Sequence, residues 1–236
     1  MEEKVTYERY RGIKHAVIAE VTEDNETTYT TGKVMRLLGA TEISKDKKTN
    51  SETFFCDDLA NGVTEATGET TIKIKGTIPS QEVEALISGL SYDKTNEAII
   101  ETPRTTKYFA LGYCYSLTNG TEIFVWNFKG VFSIGTKTHK TKDGSASSEQ
   151  LELTYTGIDT IYKFKNIPKA DGAETIASSA RSYIIKASEA VTSEKFFATV
   201  TTPDTISEIT TATATTTSET KPESTEPETT EPESAE

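Results

Sequence analysis

Hydrophobic residues recur at every second position over much of the chain, the period of strands rather than helices. Ile13, His15, Val17, Ala19 and Val21 fall on one face of a first predicted strand, which ends at a turn over Glu23-Asp24-Asn25-Glu26. A second apolar stretch runs from Val34 to Ile43. Ser44 to Ser51 is polar throughout and predicts a long exposed loop reaching Thr53. Phe54 and Phe55 resume the core, and Asp57-Asp58 with Asn61-Gly62 predict another turn. Ile72, Ile74, Gly76 and Ile78 then alternate with Lys73, Lys75 and Thr77, giving a strand with one wet face.

One segment departs from this period. Val83, Leu86, Ile87 and Leu90 stand at helical spacing, Ser80 is placed to cap their start, and Gly89 is placed to end them. Beyond it the strand signals are strongest. Phe109, Leu111, Tyr113, Tyr115 and Leu117 share a face, with Ala110, Gly112, Cys114 and Ser116 forming a small-residue face that packs on another element. Asn119-Gly120 is a hairpin signal. The return strand carries Phe124, Trp126, Phe128, Phe132 and Ile134 on one face, with Gly130 in the gap and with Asn127 and Lys129 opposite. A second polar loop spans Gly135 to Ser148, and Leu151, Leu153 and Tyr155 make a further strand.

The pattern predicts a mainly β fold, a β-sandwich or partly closed barrel of antiparallel strands with one flanking α-helix. A short N-terminal arm occupies residues 1–11, and the β-domain covers residues 12–167. Ala173 to Ala190 is rich in Ala and Ser and is expected to be helical. Glu194 to Val200 predicts a short helix presenting Phe196 and Phe197. Residues 168–203 thus form a C-terminal extension of short helical segments packed on the domain. From residue 204 the chain is Thr, Ser, Glu and Pro, with five-residue units beginning at Pro222, Pro227 and Pro232. Such a composition predicts a disordered tail over 204–236.

Charge sharpens this division. The whole chain carries −12; residues 204–236 hold nine Asp and Glu against one Lys, a net of −8, leaving −4 for residues 1–203. The start of the chain has no apolar signal region and no run approaches the roughly 18 apolar residues of a membrane span, so synthesis and folding in the cytosol are expected. Two cysteines, Cys56 and Cys114, make no disulfide framework; one bridge or two reduced thiols both fit.

Catalytic signatures are missing from the sequence. His15 and His139 are the two histidines and share no zinc-ligand spacing with the cysteines. Cys56 stands beside Asp57 and Asp58, which oppose thiolate formation. There is no dinucleotide fingerprint, P-loop or nucleophile elbow. No enzyme, cofactor or metal is expected. Lys45, Lys47 and Lys48 cluster in the first polar loop, and Lys137, Lys140 and Lys142 in the second. Two readings stand for them: solvated loops, or basic docking elements that meet acidic faces of identical neighbours. Neither loop interleaves aromatics with its lysines as a nucleic-acid patch would.

The order of pieces over residues 12–165 resembles the major tail tube protein family of long, non-contractile-tailed bacteriophages. It begins at Gly12-Ile13-Lys14 and continues at Phe54-Phe55-Cys56-Asp57-Asp58 and through the strand and helix from Thr71 to Leu90. Ala110 to Ser145 carries the most specific part: a Gly-aromatic strand, Asn119-Gly120, the strand around Trp126, the Lys129-Gly130 step and a Lys-Thr-Lys loop. The Thr-rich strand Gln150 to Gly157 follows, and Phe196-Phe197 through Pro203 resembles the family's C-terminal end. Residues 168–192 are longer than the family's usual linker, and the tail from Asp204 is an addition.

The resemblance implies a structural virion protein that forms hexameric rings stacked into a tail tube, the conduit for genome ejection. Sheets would join edge to edge between subunits. Implied partners are other copies of the chain, a tape measure protein inside, and tail terminator and distal tail proteins at the ends. Double-stranded DNA would pass without specific binding, and no membrane insertion is implied. The expected place is the virion tail of a phage or prophage, assembled in the host cytoplasm. The two polar loops are the expected contact elements, which makes Lys45, Lys47, Lys48, Asn50, Asp57, Asp58, Lys137, Lys140, Lys142 and Asp143 the candidate subunit-interface residues. The alternative is a cell-surface adhesin-like β-sandwich on a Thr/Pro-rich stalk, which needs a signal peptide and an anchor.

Overall fold

A computed structural model describes residues 8–56, 59–137, 150–169 and 174–216, and the backbone alone for 50–56, 59–67 and 212–216. The elements are, in chain order, β1 Tyr10–Asp24, β2 Tyr29–Thr31, β3 Met35–Arg36, β4 Ala40–Cys56 and β5 Leu59–Gly76, then helix α1 Gln81–Ser88. There follow β6 Ser91–Asp93, β7 Ala98–Ile100, β8 Phe109–Leu117, β9 Glu122–Ile134, β10 Leu151–Ile158, β11 Phe164–Pro168, β12 Thr175–Ser178 and β13 Ser182–Lys186. Helices α2 Ser193–Phe196 and α3 Ile206–Thr216 end the described chain.

The main sheet is antiparallel and runs β2-β1-β8-β9-β10-β5-β4, with β3 on β1 and β13 on β9. β9 is its hinge. Residues 123–127 of β9 pair with β13, and 129–134 pair with β10, on the same edge. Between them the register against β8 slips, because Leu111 faces Asn127 while Phe109 faces Gly130. This bulge inserts one residue at Phe128-Lys129 and reverses which face each later side chain takes. Phe124, Trp126 and Phe128 therefore point to one side of the sheet, and Phe132 and Ile134 to the other. The expectation that all five share a face is corrected: a period-two count cannot register an inserted residue.

The same correction applies to β1. A bulge lies between Lys14 and Val17, at a left-handed His15 (φ 54°). Ile13 and Tyr115 pair on one side, whereas Val17, Ala19 and Val21 face the other. His15 is exposed and stacks on Phe197 at 5.9 Å.

Both faces of the sheet are therefore buried over β8 and the first half of β9, whereas β10, β5 and β4 keep one face wet. On one side Ile18, Ile72, Ile74, Leu111, Leu153 and Tyr155 pack with Val83 and Ile87 of α1. Ser80 caps that helix through Val83 N–H (3.4 Å) and Gly89 ends it at φ 66°, as the sequence predicts. On the other side the C-terminal segment lies over Phe124, Trp126 and Phe128 with Phe164, Phe196, Phe197 and Val200. The Trp126 indole N–H donates to Phe196 O (3.1 Å), which also accepts from Thr201 Oγ1 (2.9 Å). Gly130 is required where β9 turns over: a Cβ there would stand 2.5 Å from Thr156 O and from the Tyr155 ring.

The turned strand is pinned by an ion pair. Lys129 Nζ lies 2.7 Å from Asp24 Oδ2, with side chains 10% and 3% exposed. Asp24 also accepts the backbone N–H groups of Ile161 (3.0 Å) and Tyr162 (2.9 Å). Burial alone would raise the Asp24 pKa; the Lys129 hydrogen bond and the two backbone donors outweigh it, so the pKa is lowered.

Five further expectations are corrected. Ser44 to Thr53 is not a loop but the middle of β4, which pairs with β5 from Ala40↔Gly76 to Cys56↔Leu59. A strand that is polar on both faces carries no alternation for a hydrophobic count to find. Asn61-Gly62 is not a turn; it lies within β5, where the register shifts opposite Phe54 and Phe55. Ala173 to Ala190 is not helical: its described part forms β12 and β13, because β9 has a free edge there and Tyr183 and Ile185 pack on the Trp126 side. Order also extends past residue 204. Asp204 Oδ1 accepts from Lys165 N (2.9 Å) and Asn166 N (3.0 Å), and α3 follows it. At the other end, residues 10 and 11 of the predicted arm already belong to β1.

Replacing Asp24 with Ala strands the Lys129 ammonium and frees two backbone donors, and is expected to cost about 3 kcal/mol in urea unfolding. Because the folded pKa is depressed, the carboxylate's contribution is present above its unfolded value and is lost as pH falls through the folded one. Asp24→Asn should therefore be less stable than wild type at pH 7, and the gap should narrow as pH falls below the ordinary Asp value of about 3.9.

Candidate self-association surface

β4 and β5 run past the body of the sheet. The last residue of β10 paired with β5 is Gly157, opposite Thr70, which in turn faces Lys47. Beyond that level β4 and β5 pair only with each other among the described strands. The continuation, Lys48 to Cys56 and back from Leu59, is a two-stranded arm about 30 Å long. The outer edge of β4 has no partner strand among the described residues along its whole length.

The root of the arm is held firmly. Arg181, immediately before β13, donates from Nε and Nη2 to Asp159 (2.9 and 2.7 Å) and from Nη1 to Thr70 Oγ1 (3.1 Å) and Gly68 O. One guanidinium thus joins β5 to the end of β10 and the start of β13. Lys48 pairs with Glu69 across the arm at 2.5 Å, and Glu42 with Lys75 at 3.1 Å.

Of the residues expected at a subunit interface, Lys45, Lys47 and Lys48 lie together on β4 and Asn50 lies further along it, its backbone paired with Ala66. They are strand residues, not loop residues. Lys45 is exposed, but its Nζ reaches back to within 3.3 Å of Oδ1 of the buried Asn127, whose amide donates to Leu111 O (3.4 Å). Its pKa is lowered, by burial first and then by the charges of Arg181 and Lys47. Lys137 sits apart from this group, in an ion pair with Glu84 of α1. Asp57, Asp58, Lys140, Lys142 and Asp143 lie outside the described residues. Arg181, Asn127 and Glu69 escape sequence reasoning because their partners are remote in the chain.

No group of three or more His, Cys, Asp or Glu among the described residues is placed to hold a metal ion. Cys114 is fully buried, and burial, aided by Glu122, pushes its thiol up to about 12, so it is protonated at neutral pH. No helix among the described residues is long and apolar enough to cross a membrane. No protein-family model and no curated protein matches the chain.

Arg181→Met should loosen the arm at its root. The expected loss is about 1 to 3 kcal/mol, from the unpaired Thr70, Gly68 and Asp159 groups, read by urea denaturation.

Proposed function

We propose that the chain is a structural subunit that assembles with copies of itself into a hollow tube, of the kind built by the major tail proteins of long, non-contractile-tailed phages. The observation that carries this reading is the outer edge of β4, which has no partner strand among the described residues and continues into an arm with no third described strand beside it. An edge of that length is normally shortened, bulged or covered, since it templates pairing with other chains. An isolated two-stranded ribbon is marginal in water. Both features make sense when a neighbouring copy supplies the missing strand. The charges Lys45, Lys47 and Lys48 then select the partner and its register.

Six-membered rings stacked end to end are the form the resemblance implies. Ring closure is a rotation, whereas stacking is heterologous and open-ended. The wet face of β4, β5 and β10 suits a channel for DNA: Lys73 lies 3.8 Å from Glu152 and Lys75 3.1 Å from Glu42, with Ser44 and Thr154 among them. A face whose charges cancel releases few counterions and holds phosphate weakly. On this reading the chain is not an enzyme and needs no cofactor. Its further partners are a tape measure protein within the tube and terminator and distal proteins at its ends.

Purified protein at high concentration should form rings or tubes of uniform diameter in negative-stain micrographs. Removing both strands of the arm together, residues 49–67, with a short turn in their place, should leave the thermal midpoint near wild type and abolish the tubes. A monomer in the intact chain, or tubes in the shortened one, would count against the reading.

A further inference from the structure

A second strand edge lies across from β4. β1 pairs with β8 along one side from Tyr10 to Glu20, but its other side meets β2 and β3 only from Val17 onward. Its first residues therefore present an edge with no partner strand among the described residues. That edge and the outer edge of β4 flank an open groove of about 610 Å3, a size typical of binding pockets. Tyr10 to Ile13 line it from β1, and Thr41 to Ile43 with Lys45 line it from β4. Consecutive residues of each strand face it, not alternate ones, so its walls are backbone edges rather than sheet faces.

The floor of the groove is apolar: Tyr113, Tyr115, Val125 and Ile184 form it. Ile184 is 54% exposed and Tyr10 81%, so large apolar side chains meet water there. The charge is one-sided. Lys45 reaches only the neutral Asn127, and neither it nor Arg11 has a carboxylate partner among the described residues. Glu42, the acid in the lining, is engaged by Lys75. Open backbone on both walls, an apolar floor and two unneutralised cations together select one kind of occupant. It is an extended peptide that takes up edge hydrogen bonds, sets apolar side chains on the floor and brings acids to the cations. The chain's own acidic tail lacks the apolar half of that description: from Thr210 to Glu236 it holds no Val, Ile, Leu, Met or aromatic residue.

We propose that the groove between β1 and β4 takes an extended segment of a partner protein, apolar and acidic at alternate positions, as an added strand. Its apolar side chains lie on Tyr115, Val125 and Ile184, and its carboxylates meet Arg11 and Lys45. The alternation of a strand delivers both to their places, since successive side chains point to opposite faces. The site goes beyond the assembly reading and shares with it only the edge of β4. A bound segment and a neighbouring copy therefore compete for the stretch from Thr41 to Lys45.

The probe is a short fluorescein-labelled peptide of alternating valine and glutamate, added to the dilute full chain and read by fluorescence anisotropy. It should bind saturably. A peptide of alternating valine and lysine should not bind, and one of alternating serine and glutamate should bind roughly tenfold more weakly. N-methylation of the probe at every second residue removes the donors of one edge and should weaken binding to a similar degree. Arg11 and Ile184 are both exposed, so Arg11→Gln and Ile184→Glu should keep the wild-type thermal midpoint while each weakens binding roughly tenfold. At saturation the probe should raise the protein concentration at which tubes appear. Binding of the lysine peptide, or wild-type binding by both variants, overturns the groove assignment. If tubes form and the probe does not bind, the groove assignment falls alone. If the probe binds as described and the chain never assembles, the tube reading falls and the groove assignment stands.

Discussion

Backbone N–H and C=O groups demand partners, and among the described residues a long row of them has no partner strand. β4 finds β5 on one side and, among the described residues, no strand on the other, and its outer half leaves the body of the sheet altogether. In a chain that worked alone this would be a liability, because water solvates such an edge but any second edge competes for it. The rest of the described structure holds that edge in place. Arg181 binds its root to β10 and β13, cross-strand ion pairs set its register, and the core beneath keeps β5 straight.

The body achieves this by making one strand serve two neighbours in turn. β9 gives its first half to β13 and its second half to β10, and the bulge at Phe128-Lys129 turns it over between them. That inversion puts Trp126 under the C-terminal segment and Phe132 against Tyr155 on the opposite face. The inserted residue sends Lys129 to Asp24, whose second duty is to hold Ile161 and Tyr162, the link from β10 toward β11. A single carboxylate thereby ties the end of β1, the turn of β9 and the exit of β10. The C-terminal segment is fixed in a similar way by Asp204, which accepts two backbone donors beside β11.

Sequence patterns reveal those parts of the fold whose causes are local. Ser80 and Gly89 bracket α1 because capping is decided within one turn of helix. Asn119-Gly120 marks the β8–β9 hairpin because Gly120 takes φ 87°. The antiparallel, mainly β character follows from alternation that both strands keep. Parts whose causes are remote stay hidden. The strand β13 exists because β9 offers an edge, which overrides an Ala/Ser-rich composition. The bulges at His15 and Phe128 flip faces with no compositional mark. The candidate surface was legible in its residue types, Lys45, Lys47 and Lys48, but not in its shape, since a strand wet on both faces has the composition of a loop.

The account depends on β4 lacking a strand alongside it in a lone copy and gaining one in an assembly. Backbone hydrogen exchange resolved along the chain measures this directly. In dilute protein the amides of Lys48 to Cys56 should exchange far faster than those of β8 and β9, and in concentrated, assembled protein they should slow toward the rate of the core. Arm amides that are equally protected at every dilution, or that stay fast after the chain has assembled, would contradict it.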